Sequence, residues 1–246
     1  MNNICLRDVR VFYENGKNER TVAIDGITVD INANSINCLI GYSGCGKTTL
    51  AKVILGLLDY EGEIYLDNVN FLSLSPNERR LGYISQNYLL YPHLTIFDNI
   101  AFPLKVIGAP REEIIKRVEE LANDLGISFL LSRKPKHLSG GQQQCVALAR
   151  ALIKTPSFIV LDEPLSNFDA PTRVRIRQLI KKALKERNIG ALYITHDLTE
   201  AMAIADTIYV MDNGKIIDSG LPLTIFNKDN AIIKSMKESI NNGKLV

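Results

Sequence analysis

The sequence predicts an α/β protein with a mixed-sheet core, an N-terminal antiparallel β region and an inserted helical subdomain. Three observations lead there. Short β-rich runs separated by Asn and Gly turns fill the first sixty residues; a glycine-rich loop stands between an apolar strand and a helix at residues 36–58; and beyond a wholly helical stretch, residues 87–153, strands and helices alternate again. Alternation of that kind is what parallel βαβ units produce.

Taken in order, Val9 to Phe12, Thr21 to Ile24 and Ile27 to Ile31 read as strands. Ile36 to Ile40 is a further strand, and after the loop Gly41 to Thr49 an apolar helical run continues to Leu58. Gly62 to Asn68 resembles a hairpin, and Leu81 to Ser85 is a short strand ending at Gln86. Phe97 to Lys105, Arg111 to Leu125 and Gly141 to Ile153 carry helical patterns; in the second, Ile114, Val118, Leu121, Ala122 and Leu125 share one face. Then come the strand Ser157 to Leu161, the helix Pro171 to Arg187, the strand Ala191 to Thr195, the helix Leu198 to Ala205, the strands Thr207 to Met211 and Lys215 to Asp218, and a helical tail. With no repeat, low-complexity tract or linker, residues 1–246 form one domain: an α/β core at 1–86 and 154–246, and a helical subdomain at 87–153.

Composition narrows the possible partners. The chain is 46% hydrophobic and 23% charged, as globular proteins are, and disorder is excluded as its main state. Its 29 Lys and Arg against 27 Asp and Glu leave a formal charge of +2, so nothing in the balance asks for nucleic acid. One helix is basic, with Arg173, Arg175, Arg177, Lys181, Lys182, Lys185 and Arg187, but the charges surround it and no aromatics interleave, so a solvated face is expected. No stretch reaches the roughly 20 apolar residues of a membrane span, and Met1 to Asp8 lacks a secretory pattern. A cytoplasmic protein is expected. Cys5, Cys38, Cys45 and Cys145 form no C-x-x-C pair and read as free thiols.

Gly41 to Thr48 reads G-x-x-x-x-G-K-T, after a strand and before a helix, which is the setting of a phosphate loop. Glycines let successive N–H groups curl around phosphate oxygens, and the helix start adds positive potential. Lys47 reaches the outer phosphates and the Thr48 hydroxyl ligates Mg2+. Candidate nucleotide contacts are therefore Gly41, Ser43, Gly44, Cys45, Gly46, Lys47, Thr48 and Thr49. This loop alone leaves kinases, GTPases and ATPases open. The apolar run Phe158 to Leu161 ends in Asp162-Glu163, where α/β sheets bind ligands: Asp162 is suited to Mg2+ and Glu163 to accepting a proton from an attacking water. The guanine motif N-K-x-D of GTPases is not matched, since Asn227-Lys228-Asp229-Asn230 lacks its final Asp.

The segment Leu138-Ser139-Gly140-Gly141-Gln142 opens a second helix with glycines, and here the sequence resembles the ATP-binding cassette of ABC transporters, whose signature motif this is. The resemblance covers essentially the whole chain and implies a P-loop ATP-binding cassette that binds and hydrolyses ATP with Mg2+. It implies a head-to-tail homodimer or paired ABC subunit in which Ser139, Gly140, Gly141 and Gln142 of one copy meet the nucleotide of the other. It further implies that Gln86 approaches Mg2+ and the water, that Asp169 stands at the dimer interface, where it also suits a helix cap, that His196 contacts the γ-phosphate, and that Tyr13 stacks on adenine.

Pro92 to Leu104 and Thr195 to Met202 are similar to importer ATPases of the sugar, polyamine and iron types. That implies transmembrane permease subunits, a solute-binding protein as a further candidate partner, and a peripheral place on the cytoplasmic face of the membrane. Tyr88 to Pro92, beside Gln86, is either core or the surface facing such a partner. The competing class is a soluble ABC ATPase of DNA repair, translation or cluster assembly. Two departures stand out: Cys145 replaces the usual Arg, and residues up to Val246 include no C-terminal regulatory domain, so regulation through one is not expected.

Overall fold

The computed structural model describes residues 3–14 and 20–242. In chain order its elements are β1 (Asn3–Glu14), β2 (Arg20–Asn32), β3 (Ile36–Ile40), α1 (Lys47–Ile54), β4 (Glu61–Leu66), β5 (Val69–Asn70), α2 (Pro76–Arg79), β6 (Leu81–Ile84), α3 (Ile96–Val106), α4 (Arg111–Asp124) and α5 (Gly140–Leu152). They continue with β7 (Phe158–Asp162), α6 (Ala170–Glu186), β8 (Gly190–Thr195), α7 (Leu198–Ile204), β9 (Thr207–Asp212), β10 (Lys215–Gly220), α8 (Pro222–Phe226) and α9 (Ala231–Asn242).

Alternation in the first third builds an antiparallel sheet of order β2-β1-β4-β5, with Ile4 opposite Ile31 and Leu6 opposite Val29. Ile4, Leu6, Val9 and Val11 point inward and are buried. The two runs expected on either side of Gly26 are one strand. Gly26 at φ 68° and Asp8 at φ 46° absorb register shifts between β1 and β2, and a bulge bends a strand without ending it.

The second sheet has the order β10-β9-β3-β8-β7-β6, parallel throughout except at β10. Every residue of β3, β7 and β8 is buried, the mark of a parallel sheet covered on both faces. One covering layer is α1 and the antiparallel sheet; the other is built from α3 to α7. Between β6 and β7 the described elements are all helical, with α3 packed on α4 and α5. The expected face of α4 is buried, as are Ile176, Ile180, Ala183 and Leu184 of α6. The short α2 and α8 carry no hydrophobic period, and periodicity does not find them. Among the described residues no helix is long and apolar enough to cross a membrane.

Strand order is what builds the site. Because β3, β8, β7 and β6 are parallel neighbours, their C-terminal ends deliver Gly41, His196, Asp162 with Glu163, and Gln86 to one edge of the sheet.

Candidate active site

The loop after β3 is shaped by what its glycines exclude. A Cβ on Gly41 would lie 2.2 Å from the Met211 carbonyl oxygen, at the end of neighbouring β9. Gly46, at φ 108°, would place one 2.5 Å from the Ala23 carbonyl oxygen, whereas one on Gly44, at φ 82°, would meet nothing within 4 Å. The loop is therefore tight against the protein on one side and open on the other. No side chain caps α1, which leaves its first N–H groups for an anion on the open side.

Lys47 is buried, and its ammonium donates to the carbonyls of Gly41 at 2.9 Å and Tyr42 at 2.7 Å. Those dipoles satisfy a charge that would otherwise be costly to bury. Ser43, Gly44 and Thr48 are exposed. The Thr48 hydroxyl donates to Asp162 Oδ1 at 3.2 Å. Burial pushes the Asp162 carboxyl up, the Thr48 hydrogen bond opposes this, and the adjoining Glu163 charge adds to it.

Glu163 takes φ 46°, uncommon for a residue with a side chain, while its N–H donates to the Ile194 carbonyl at 3.0 Å. The backbone thus stays on β8 as the side chain turns toward the sheet edge. Glu163 Oε2 accepts from Gln86 Nε2 at 3.4 Å, and Oε1 lies 3.2 Å from His196 Nδ1. Gln86, Glu163 and His196, expected at the attacking water and the γ-phosphate, are in one group. Tyr13 is exposed at the end of β1, its hydroxyl 3.3 Å from Thr49 Oγ1, so it sits beside the loop.

Ser139, Gly140, Gly141, Gln142 and Asp169 belong to a second location. Ser139 caps α5: its hydroxyl accepts from Gln142 N at 3.4 Å, and its N–H donates to Gln142 Oε1 at 3.0 Å. Asp169 caps α6 by accepting from Thr172 N at 2.9 Å, and hydrogen bonding from the Thr172 side chain, with this backbone bond second, holds its carboxyl below the usual value. A Cβ on Gly140 would be 3.2 Å from Phe168, and one on Gly141 3.5 Å from Thr172 and 3.6 Å from Arg175. These side-chain hydrogen bonds stay within the starts of α5 and α6 and do not reach residues 41–49.

Two expectations change. Arg173, read as part of a solvated face, is drawn inward: Nη1 donates to Asp197 at 3.1 Å, Nη2 to the Phe168 carbonyl at 3.1 Å, and Nε faces buried Glu200 at 3.5 Å. The missed signal was Glu200, an acid beside buried Ala201 and four residues before buried Ile204. The segment at Tyr88 to Pro92 divides between its two readings. Tyr88 is buried and stacks on Phe168, 6.2 Å between ring centres, while Leu89 is 64% exposed. Arg150 donates to the Tyr88 and Leu89 carbonyls, and Tyr91 packs on Phe102 at 4.7 Å. Tyr83, Tyr91, Phe102, Ile107 and Arg150 line a groove of about 560 Å³.

The thiols differ in access. Burial pushes all four thiols up, Cys38 well above the usual value and Cys145 to about 11, but Cys5 alone of the four is partly exposed. Maleimide at about neutral pH is expected to label Cys5 first, Cys45 at least ~10-fold more slowly, and Cys38 and Cys145 not measurably in the folded protein. Peptide mass spectrometry over time checks the order; early labelling of Cys145 would show that α5 opens from α6.

The family model described as ABC transporter matches residues 24–166, a span that leaves out Tyr13, Asp169 and His196. The trehalose/maltose import ATP-binding protein MalK of Thermococcus litoralis is 42% identical over 213 residues, 84% of this chain and 57% of that protein. The sn-glycerol-3-phosphate import ATP-binding protein UgpC of Rhodopseudomonas palustris is 42% identical over 229 residues, 93% of this chain and 62% of its own. The chain spans about three fifths of the length of the curated relatives it matches. Among solved structures, the dimeric post-hydrolysis state of the ATP-binding cassette MJ0796, bound to ADP and Pi, superposes with a TM-score of 0.80 at 31% identity, covering 89% of this chain and 98% of that one.

Proposed function

The chain belongs to the ABC transporter family, and from that premise we propose that it is an ATP-binding and hydrolysing subunit that energises a membrane importer of a small solute. The observation that carries the reading is Glu163 held between Gln86 and His196, immediately after the strand whose last residue meets Thr48. That single edge of the sheet unites a phosphate loop, hard oxygen donors and a base.

ATP is the substrate. Its phosphates lie along the open side of residues 41–48, where N–H groups face them, and Lys47 exchanges the Gly41 and Tyr42 carbonyls for phosphate oxygens. Tyr13 stacks on the adenine. The Thr48 hydroxyl and the buried Asp162 carboxylate, already neighbours, fit Mg2+, with Gln86 as a further oxygen donor. Bound there, the ion would neutralise charge on the phosphates. Glu163 takes the proton of the attacking water, while Gln86 and His196 hold its carboxylate in place. General-base assistance of this kind contributes about 10²–10⁴-fold.

Two copies, or this chain and a paired relative, work head to tail. Ser139, Gly140, Gly141 and Gln142 at the start of α5, with Asp169, complete the partner's nucleotide site, so ATP closes the pair and hydrolysis releases it. The dimeric cassette to which the chain is similar supports this arrangement. Closure acts on permease subunits through the groove beside Tyr91 and the exposed Leu89; the subunit sits peripherally on the cytoplasmic face of the membrane, with a solute-binding protein as a further partner. The import names of the relatives support a solute of the sugar or sugar-phosphate class.

The test is a pull-down of tagged Glu163→Gln from gently solubilised native membranes with Mg-ATP. Recovery of a polytopic membrane protein is expected. Recovery of soluble or nucleic-acid-associated partners alone would overturn the transport reading.

A further inference from the structure

The 3.2 Å approach of His196 to Glu163 joins two chain segments: the turn that follows β7 and the loop that follows β8. Each segment is held by hydrogen bonds of its own. Ser166 donates to the Glu163 carbonyl from both its N–H and its hydroxyl, and Phe168 N–H donates to Leu165, so the first turn is wound continuously from Glu163 to Phe168. On the second, Asp197 N–H donates to the Thr195 hydroxyl, and the Asp197 carboxylate caps α7 at Thr199 and Glu200. His196 is the exposed residue between these pinned neighbours.

Arg173 bridges the far ends of the same two segments. One guanidinium binds the Phe168 carbonyl, at the end of the first turn, and Asp197, immediately after His196. Its Nε faces Glu200 Oε1 at 3.5 Å as an ion pair without a hydrogen bond, and the buried Glu200 carboxylate accepts from Thr195 at 2.8 Å and Tyr193 at 3.3 Å. Between Arg173 and the Glu163–His196 pair lies a cavity of only about 30 Å³, so the bridge stands directly behind the pair. A guanidinium presents its donors in one rigid plane and so fixes the relative placement of these partners, whereas a lysine ammonium is a compact charge on a flexible stem.

We propose that Arg173 is a positioning residue for hydrolysis, setting the distance between Glu163 and His196 by clamping Phe168, Asp197 and Glu200 in one fork. This rests on the role of Glu163 given above. The partners of Arg173 are Phe168, Asp197 and Glu200 and none lies in residues 41–49, so its loss acts on turnover and leaves nucleotide binding to that loop.

Removing Arg173 alone would leave Glu200 buried and unpaired, which by itself destabilises a fold. The test therefore pairs Arg173→Met with Glu200→Gln, and adds Arg173→Lys, which keeps the charge and loses the fork. Thermal melts establish folding, ATP hydrolysis gives kcat and KM, and ¹⁵N-histidine spectra of the nucleotide-free protein report the His196 ring among three histidines. Both variants are expected to show kcat at least 10-fold lower, KM within twofold, and a displaced His196 resonance. A folded variant with kcat within twofold of the parent and His196 unmoved would overturn the proposal. If the double variant does not fold, Arg173→Lys decides by the same readings. A parent protein that neither binds nor hydrolyses Mg-ATP would instead undo the proposed function, and the His196 resonance still judges the clamp.

Discussion

Glu163→Gln is expected to bind Mg-ATP about as tightly as the parent protein and to hydrolyse it at least ~100-fold more slowly. The substitution keeps the size of the side chain and its ability to bond to Gln86 and His196, which lie 3.4 Å and 3.2 Å from the carboxylate. What it removes is the capacity to accept a proton. Blocked after binding, the variant should accumulate as an ATP-bound pair, visible as a shift to twice the mass in size-exclusion chromatography with Mg-ATP and absent without it. Turnover within tenfold of the parent would remove Glu163 from the role of base and leave the Gln86–Glu163–His196 group as a structural contact.

Gly46→Ala is expected to act on nucleotide binding itself, weakening it at least ~100-fold. Gly46 is at φ 108°, where a Cβ is strained, and that Cβ would sit 2.5 Å from a backbone oxygen at Ala23 and 2.8 Å from Met211 Cε. The backbone must shift, at a cost of roughly 1–3 kcal/mol. For a chain of this size that lowers Tm by about 2–12 °C. Because Gly46 opens α1, the shift also turns the loop's N–H groups away from a bound phosphate. Losing two charge-assisted contacts of roughly 1.5–3 kcal/mol each weakens ATP at least ~100-fold. Calorimetric titration with Mg-ATP beside a thermal melt separates the two effects. Gly44→Ala makes the comparison sharper: its Cβ meets no atom, so it carries strain at φ 82° without the clash and should lose less stability. Equal losses at both positions would mean that backbone conformation alone, without the Ala23 contact, limits the loop.

The structure also redistributes the weight of the signature segment. Ser139 and Gln142 are engaged in capping α5, and Asp169 in capping α6, so each has a structural task before any nucleotide arrives. Gly140 and Gly141 have a packing reason too, since α6 and Phe168 lie within about 4 Å of where their side chains would begin. Loss of activity on changing them is therefore ambiguous unless folding is measured at the same time.

Local spacing was enough to read most of this protein. The phosphate loop and the paired acids after an apolar strand are each contiguous, and their expected chemistry follows from the chain direction over fewer than ten residues; the role of the glycine-opened helix rests on the family resemblance. The fully buried strands β3, β7 and β8 announced a covered parallel sheet because an apolar run cannot face water on either side. Two-residue distinctions were less visible: one long β2 looked like two strands, since a bulge at Gly26 interrupts the alternation without ending the hydrogen bonding.

What sequence alone could not decide is every relation across strands. Gln86 and Glu163 are 77 positions apart, and Glu163 and His196 are 33 apart, yet they touch because β6, β7 and β8 are consecutive in the sheet. The order of strands is chosen by how both sheet faces are covered, a property of the whole core. The same holds for Arg173 and Tyr88. Composition assigns an arginine on a basic helix to water and an apolar run beside a loop to either core or surface. Only the packing of α6 against the loop after β8 turns Arg173 inward to Glu200 and leaves Tyr88 stacked on Phe168 while Leu89 faces out. Residue type and spacing determined which chemistry the chain carries; the tertiary structure decided which groups stand close enough to act together, because contact is set by strand order and helix packing and not by separation along the chain.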